Sequence, residues 1–154
     1  MKKNKIAFQG EKGAYSHIAC EEIFKDCDIK TCNTFEETFK TAFEDEEYKI
    51  IIPLENSLAG RVADIHYLLP KYQLQIHGEH FQEVEHNLIT KPDAEMKDIK
   101  FVRSHAQAIG QCQKIIMNNK YKTIISADTA GSAKELAQSE DKSIAAIASK
   151  LSAD

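Results

Sequence analysis

The sequence predicts an α/β fold: two lobes with mainly parallel sheets around a cleft. Short apolar runs alternate with amphipathic helical stretches in both halves of the chain, an order that argues for parallel strands with helices packed on them. Four of the runs end in clusters of glycine, hydroxyl, amide and carboxylate residues, at 10–16, 55–60, 104–111 and 128–132. In open α/β sheets such strand ends are where ligands bind.

Residues 5–9 read as a short buried strand, ended by Gly10-Glu11-Lys12-Gly13, and a helix follows from about Ser16 with Ile18, Ala19, Ile23 and Phe24 on one face. Residues 29–32 form the second strand. Thr34 opens a capping box, in which Glu37 reaches back to the Thr34 amide, and the helix behind it buries Phe35, Phe39, Ala42 and Phe43. Residues 49–53 are the third strand. It stops at Pro53 and presents Glu55, Asn56 and Ser57 before Gly60 turns the chain. A helix over 62–69 is expected to close at Pro70. The stretch 73–90 alternates, as one extended strand or a pair, and can cross between lobes, which sets the lobes at 1–76 and 77–154.

The second half repeats the pattern. A strand at 99–103 precedes a helix capped by Ser104 and running to about Lys120. A strand at 121–125, a helix capped by Asp128 or Thr129, and a strand at 143–147 follow, with a further helix beginning at Ala148.

At 154 residues the chain holds one medium domain or two small lobes. A net charge of −4 supplies no basic footprint for nucleic acid or an acidic membrane, and no apolar run approaches a membrane span. Four cysteines without a C-x-x-C pair point to reduced cytosolic thiols rather than a metal site. The loop Gly10-Glu11-Lys12-Gly13-Ala14-Tyr15-Ser16 fits neither G-x-G-x-x-G nor a P-loop, which disfavours a nucleotide. His77, His80 and His86 could suggest a metal, but His77 and His80 would face opposite sides of a strand, and all three read as surface or hinge residues; His17, His66 and His105 lie near the clusters as candidate general acids. Each cluster alone is explained by helix capping. Four together, two from each half, favour a shared site for a small polycarboxylate at helix N-termini.

The motifs Gly10-x-x-Gly13-Ala14-Tyr15-Ser16, Pro53-Leu54-Glu55-Asn56-Ser57-Leu58-Ala59-Gly60-Arg61-Val62, Ser104-His105-x-Gln107-Ala108 with Gln111-Cys112, Asp128-Thr129-Ala130-Gly131-Ser132-Ala133 and Ala145-Ala146-Ile147-Ala148-Ser149 resemble, in order, those of prephenate dehydratases. The resemblance implies a fold similar to type II periplasmic binding proteins, and decarboxylating dehydration of prephenate to phenylpyruvate in phenylalanine biosynthesis in the cytoplasm. Some relatives prefer arogenate. It implies no cofactor or metal, a homo-oligomer (dimer or tetramer) in full-length form, and substrate contacts from Ala14, Tyr15, Ser16, Glu55, Asn56 and Ser57 in the first lobe. Ser104, His105, Gln107 and Gln111, with Asp128, Thr129, Ala130 and Gly131 lining the floor, would serve from the second. The family's Thr-Arg-Phe motif, the expected catalytic group, and its ACT domain do not occur before Asp154, so the expectation is a truncated, poorly active form lacking the return segment of its first lobe. A carboxylate-binding or sensing module on the same fold is the alternative.

Overall fold

The computed structural model describes residues 3–153, and they fall into two compact units that divide between Glu83 and Val84. The first unit runs β1 (Asn4–Gln9), α1 (Tyr15–Ile23), β2 (Cys27–Cys32), α2 (Phe35–Glu44), β3 (Tyr48–Ile51), a small hairpin of β4 (Glu55–Asn56) and β5 (Gly60–Arg61), and α3 (Ala63–Tyr72). Its main sheet has the order β2-β1-β3, all parallel. The chain steps from β1 to β2 in one direction and from β2 across β1 to β3 in the other. Right-handed crossovers then put the connecting helices on opposite faces.

Alternation along the strands makes both faces apolar. Ile6, Phe8 and Ile51 pack with Cys20 and Phe24 on the α1 side, while Ile50 and Ile52 join Phe39, Ile65 and Leu68 on the side of α2 and α3. Burial pushes the Cys20 thiol up to about 12, with the neighbouring Cys27 thiol adding to the effect, so Cys20 is an inert core residue.

Several sequence expectations shift here. Glu37 takes the Asn33 amide (2.8 Å) rather than that of Thr34, whose hydroxyl accepts from Glu37 N (3.1 Å) as expected. Phe43 is 61% exposed instead of buried, its ring edge-on to Tyr72. Pro70 does not close α3. The helix continues to Tyr72 and ends at Gln73 in the left-handed region (φ 52). Proline inside a helix loses one hydrogen bond, and here the last turn is held from outside. Glu36 accepts from both the Lys71 ammonium and the Tyr72 hydroxyl, while the Tyr72 ring lies 5.9 Å from Phe39. These donors, Lys71 first, hold the Glu36 carboxyl below its ordinary range. The stabilisation is therefore present above the ordinary glutamate pKa and lost as pH falls through the depressed value. The extended strands expected over 73–90 do not form, save for three residues near the end; Ile76 and Phe81 are largely exposed, so the alternation has no sheet to bury it.

The second unit runs β6 (Asn87–Ile89), β7 (Phe101–Ser104), α4 (Ala106–Gln111), α5 (Gln113–Asn118), β8 (Lys122–Ile125), α6 (Thr129–Gln138) and β9 (Ile144–Ala148). The order is β6-β9-β7-β8, parallel except for the antiparallel edge strand β6. Strands β8, β7 and β9 thus repeat the arrangement of β2, β1 and β3. Val102, Ile147, Ala108 and Ile116 form the core on the α4–α5 side. On the other face Arg103 reaches Glu135 of α6 (2.7 Å).

The helix expected from Ser104 to Lys120 breaks at Cys112 into α4 and α5, and Ser104 is not its cap. His105 caps instead, its Nδ1 accepting from Gln107 N at 3.3 Å. A turn forms at Lys91-Pro92-Asp93, closed by Ala94 N donating to Lys91 O. Beyond β9 the chain makes a short 3₁₀ turn, Lys150–Ser152, capped by Ser149. No helix among the described residues is long and apolar enough to cross a membrane.

Phe39 is fully buried where α2 meets α3. Phe39→Ala is expected to cost roughly 3–5 kcal/mol, read as a lower denaturant midpoint at unchanged m-value. A loss under about 1 kcal/mol would mean this contact does not hold α3 to the sheet.

Candidate functional site

In each unit the strand order reverses beside the central strand. That reversal separates the loops leaving the two neighbouring strand ends and opens a crevice for ligands. In the first unit the two loops follow β1 and β3. The first runs through Gly10 (φ 115) and Gly13 (φ 93), both in the left-handed region where glycine is favoured. It delivers Ala14 as the N-cap of α1 and Tyr15 and Ser16 as its first residues, all half-buried.

The second loop is a hairpin and not the direct turn into a helix that the sequence suggested. Glu55 pairs with Arg61 and Asn56 with Gly60, and the Asn56 side-chain oxygen accepts from Leu58 N (2.9 Å) and Ala59 N (3.0 Å). Backbone amides can only donate, so this turn fixes the amide orientation and directs Asn56 Nδ2, a pure donor, away from it. Glu55 and Ser57 are exposed on the same hairpin.

In the second unit Ser104 ends β7, fully buried, and its hydroxyl donates to the Ile147 carbonyl of β9 (2.6 Å). It ties together the two strands beside the reversal. Gln107 and Gln111 are exposed on α4, His105 is half-buried at its cap, and Gln111 Oε1 stands 2.7 Å from His86 Nε2. With the imidazole as donor, the Gln111 oxygen is occupied and its Nε2 remains to donate. From sequence His86 reads as a surface or hinge histidine; its pairing with Gln111, 25 positions away, carries no local signal. At α6 the Asp128 carboxylate accepts from Gly131 N (2.6 Å), with Thr129 and Ala130 in the first turn. Of the two caps weighed from sequence, Asp128 is the one used.

His80 pairs with Glu22 at 2.8 Å, in keeping with a surface role. Among the described residues no group of three or more His, Cys, Asp or Glu side chains is placed to hold a metal ion.

Two open α/β units with polar loops at their strand ends define a fold of the type II periplasmic-binding-protein-like class. The family model for prephenate dehydratase matches residues 6–154, and the chain belongs to that family. It is 39% identical over 149 residues to a bifunctional N-acyl-homoserine lactone acylase/prephenate dehydratase of Komagataeibacter europaeus, covering 97% of this chain and 53% of that protein. It is 35% identical over 153 residues to the chloroplastic arogenate dehydratase/prephenate dehydratase 2 of Arabidopsis thaliana, covering 97% of this chain and 39% of that protein. The crystal structure of the prephenate dehydratase of Staphylococcus aureus superposes with a TM-score of 0.78 at 24% identity, over 94% of this chain and 54% of that one, a likeness of fold. The chain therefore spans about half or less of the length of these relatives.

A Cβ added to Gly131 would stand 3.0 Å from Asp128 Oδ2, so alanine there requires the capping carboxylate to give by a few tenths of an ångström. Gly131→Ala and Asp128→Ala should each destabilise by roughly 1 kcal/mol, and the double variant by little more than either single one. Full additivity in a denaturation cycle would separate the glycine from the cap.

Proposed function

We propose that the protein containing this chain is a dehydratase that converts prephenate to phenylpyruvate. The observation that carries the reading is the family match across residues 6–154. The chemistry of the polar residues agrees with it. Prephenate carries two carboxylates, and Asn56 and Gln111 each have an oxygen engaged within the protein and a nitrogen left to donate. Neutral donors orient a carboxylate without the tight ion pair that would stabilise it against leaving.

In the reaction the ring carboxylate departs as carbon dioxide. The electron pair of the broken carbon–carbon bond moves into the ring, which becomes aromatic, and the hydroxyl at the far ring carbon leaves. A proton must reach that hydroxyl so that it departs as water. On this reading Ala14, Tyr15, Ser16, Glu55, Ser57, His105, Gln107, Thr129, Ala130 and Gly131 lie along the substrate. Ser104 and Asp128 act through the backbone they hold, since Ser104 donates to Ile147 and Asp128 caps α6.

Relatives named for arogenate and for N-acyl-homoserine lactones make these the two competing substrates. The full-length product of the reading frame that encodes this chain should form phenylpyruvate from prephenate, with a higher kcat/KM than for either competitor. A folded protein that turns over none of the three but binds prephenate would instead be a carboxylate-binding module. Asn56→Ala and Gln111→Ala should each lower kcat/KM by roughly 1–3 kcal/mol, the scale of a hydrogen bond to a charged group. Unchanged kinetics in both would remove these residues from the site.

A further inference from the structure

We infer that His17 is a positioning residue. Its neutral imidazole closes the loop after β1 by accepting the Gly13 amide, and it does so without adding negative charge beside Ala14, Tyr15 and Ser16. The second half of this statement rests on the proposal that those three residues meet a dianionic substrate.

Helices α1 and α2 solve one local problem in two ways. A helix start leaves amides unpaired, and a side chain at the third helical position can reach back to accept one. In α2 the third residue is Glu37, whose carboxylate takes the amide of Asn33, the residue before the cap, at 2.8 Å. In α1 the third residue is His17, whose Nδ1 takes the amide of Gly13, again the residue before the cap, at 3.0 Å. The cap of α1 is Ala14, which has no side-chain acceptor, so the reach-back from His17 is the side-chain contact that closes this turn. Gly13 is buried, and a buried amide requires an acceptor.

The ring is fixed for this task. It lies stacked on Phe8 of the central strand, centroids 5.8 Å apart and planes 21° from parallel, with only 12% of the side chain exposed. The Glu21 carboxylate stands 3.7 Å from Nε2. That placement favours hydrogen on Nε2 and leaves the Nδ1 lone pair for Gly13.

The two helices differ in charge. The first turn of α2 carries Glu36 and Glu37, whereas the first turn of α1 carries no acid. An imidazole therefore does at α1 what a carboxylate does at α2, and adds no carboxylate to the first turn.

The test uses the full-length product with His17→Leu, His17→Gln and His17→Glu. Glutamine and glutamate both serve in the reach-back position, so these two isosteres keep an accepting oxygen for Gly13 and differ in charge. Gly13 amide exchange, followed by NMR, should speed up roughly tenfold in His17→Leu, the scale of one lost hydrogen bond, and stay near wild type in the other two. For prephenate, His17→Leu should raise KM, His17→Gln should restore it, and His17→Glu should raise KM about tenfold over His17→Gln with kcat within about twofold. Unchanged Gly13 exchange in His17→Leu would overturn the closing role. Equal KM for the glutamine and glutamate variants would overturn the charge argument. Should His17→Leu not fold, the glutamine and glutamate pair still decides the charge argument, and Gly13 protection equal to that of an unstructured amide in both would overturn the closing role. A wild-type protein that does not turn over prephenate identifies failure of the functional reading, while Gly13 exchange still reports on His17.

Discussion

The reversal of strand order beside β1, and again beside β7, is the constraint on which the remaining features depend. Each central strand is covered on both faces, because its two crossovers lay helices on opposite sides. In β1, Ile6 and Phe8 supply the α1 face and the fully buried Ala7 the opposite one; in β7, Val102 faces α4 and α5, and the Ser104 hydroxyl bonds β7 to β9 beside the second reversal. Once the loops on either side diverge, the chain has space at the strand ends and uses it for helix starts and a hairpin. The polar motifs sit there because the topology leaves nowhere else for them in an open sheet.

What distinguishes these loops chemically is where their acceptors go. Asn56 gives its oxygen to the hairpin amides, Gln111 gives its oxygen to His86, and Asp128 gives its carboxylate to Gly131. Internal bonds that shape the loops thereby leave amide nitrogens to donate. A loop built this way suits an anion, and the same hydrogen bonds serve stability and recognition together.

The α/β class, the order of strands and helices along the chain and a helix start at Asp128 or Thr129 were legible because each is written in local spacing. The apolar runs at 5–9 and 143–147 lie within a residue of their strands, and Thr34 with Glu37 announced a helix start. The failures share a physical cause, namely partners distant in sequence. Pro70 predicts a helix end, but Glu36, 35 positions from Lys71, holds the last turn through Lys71 and Tyr72. Ser104 looks like a cap until Ile147, 43 positions away, takes its hydroxyl. The alternation over 73–90 reads as a strand but has almost no neighbour to pair with. Among the candidate site residues, identities came from the motifs, while the orientation of Asn56 and Gln111 needed the structure.

The claim that these loops present donors to a carboxylate substrate is tested most directly by the side-chain amide signals of Asn56 and Gln111 in a ¹⁵N-labelled full-length protein titrated with prephenate. Both NH₂ groups are expected to shift saturably with prephenate, the signals being lost in Asn56→Ala and Gln111→Ala respectively. Tight binding of prephenate that leaves both signals unmoved would contradict it.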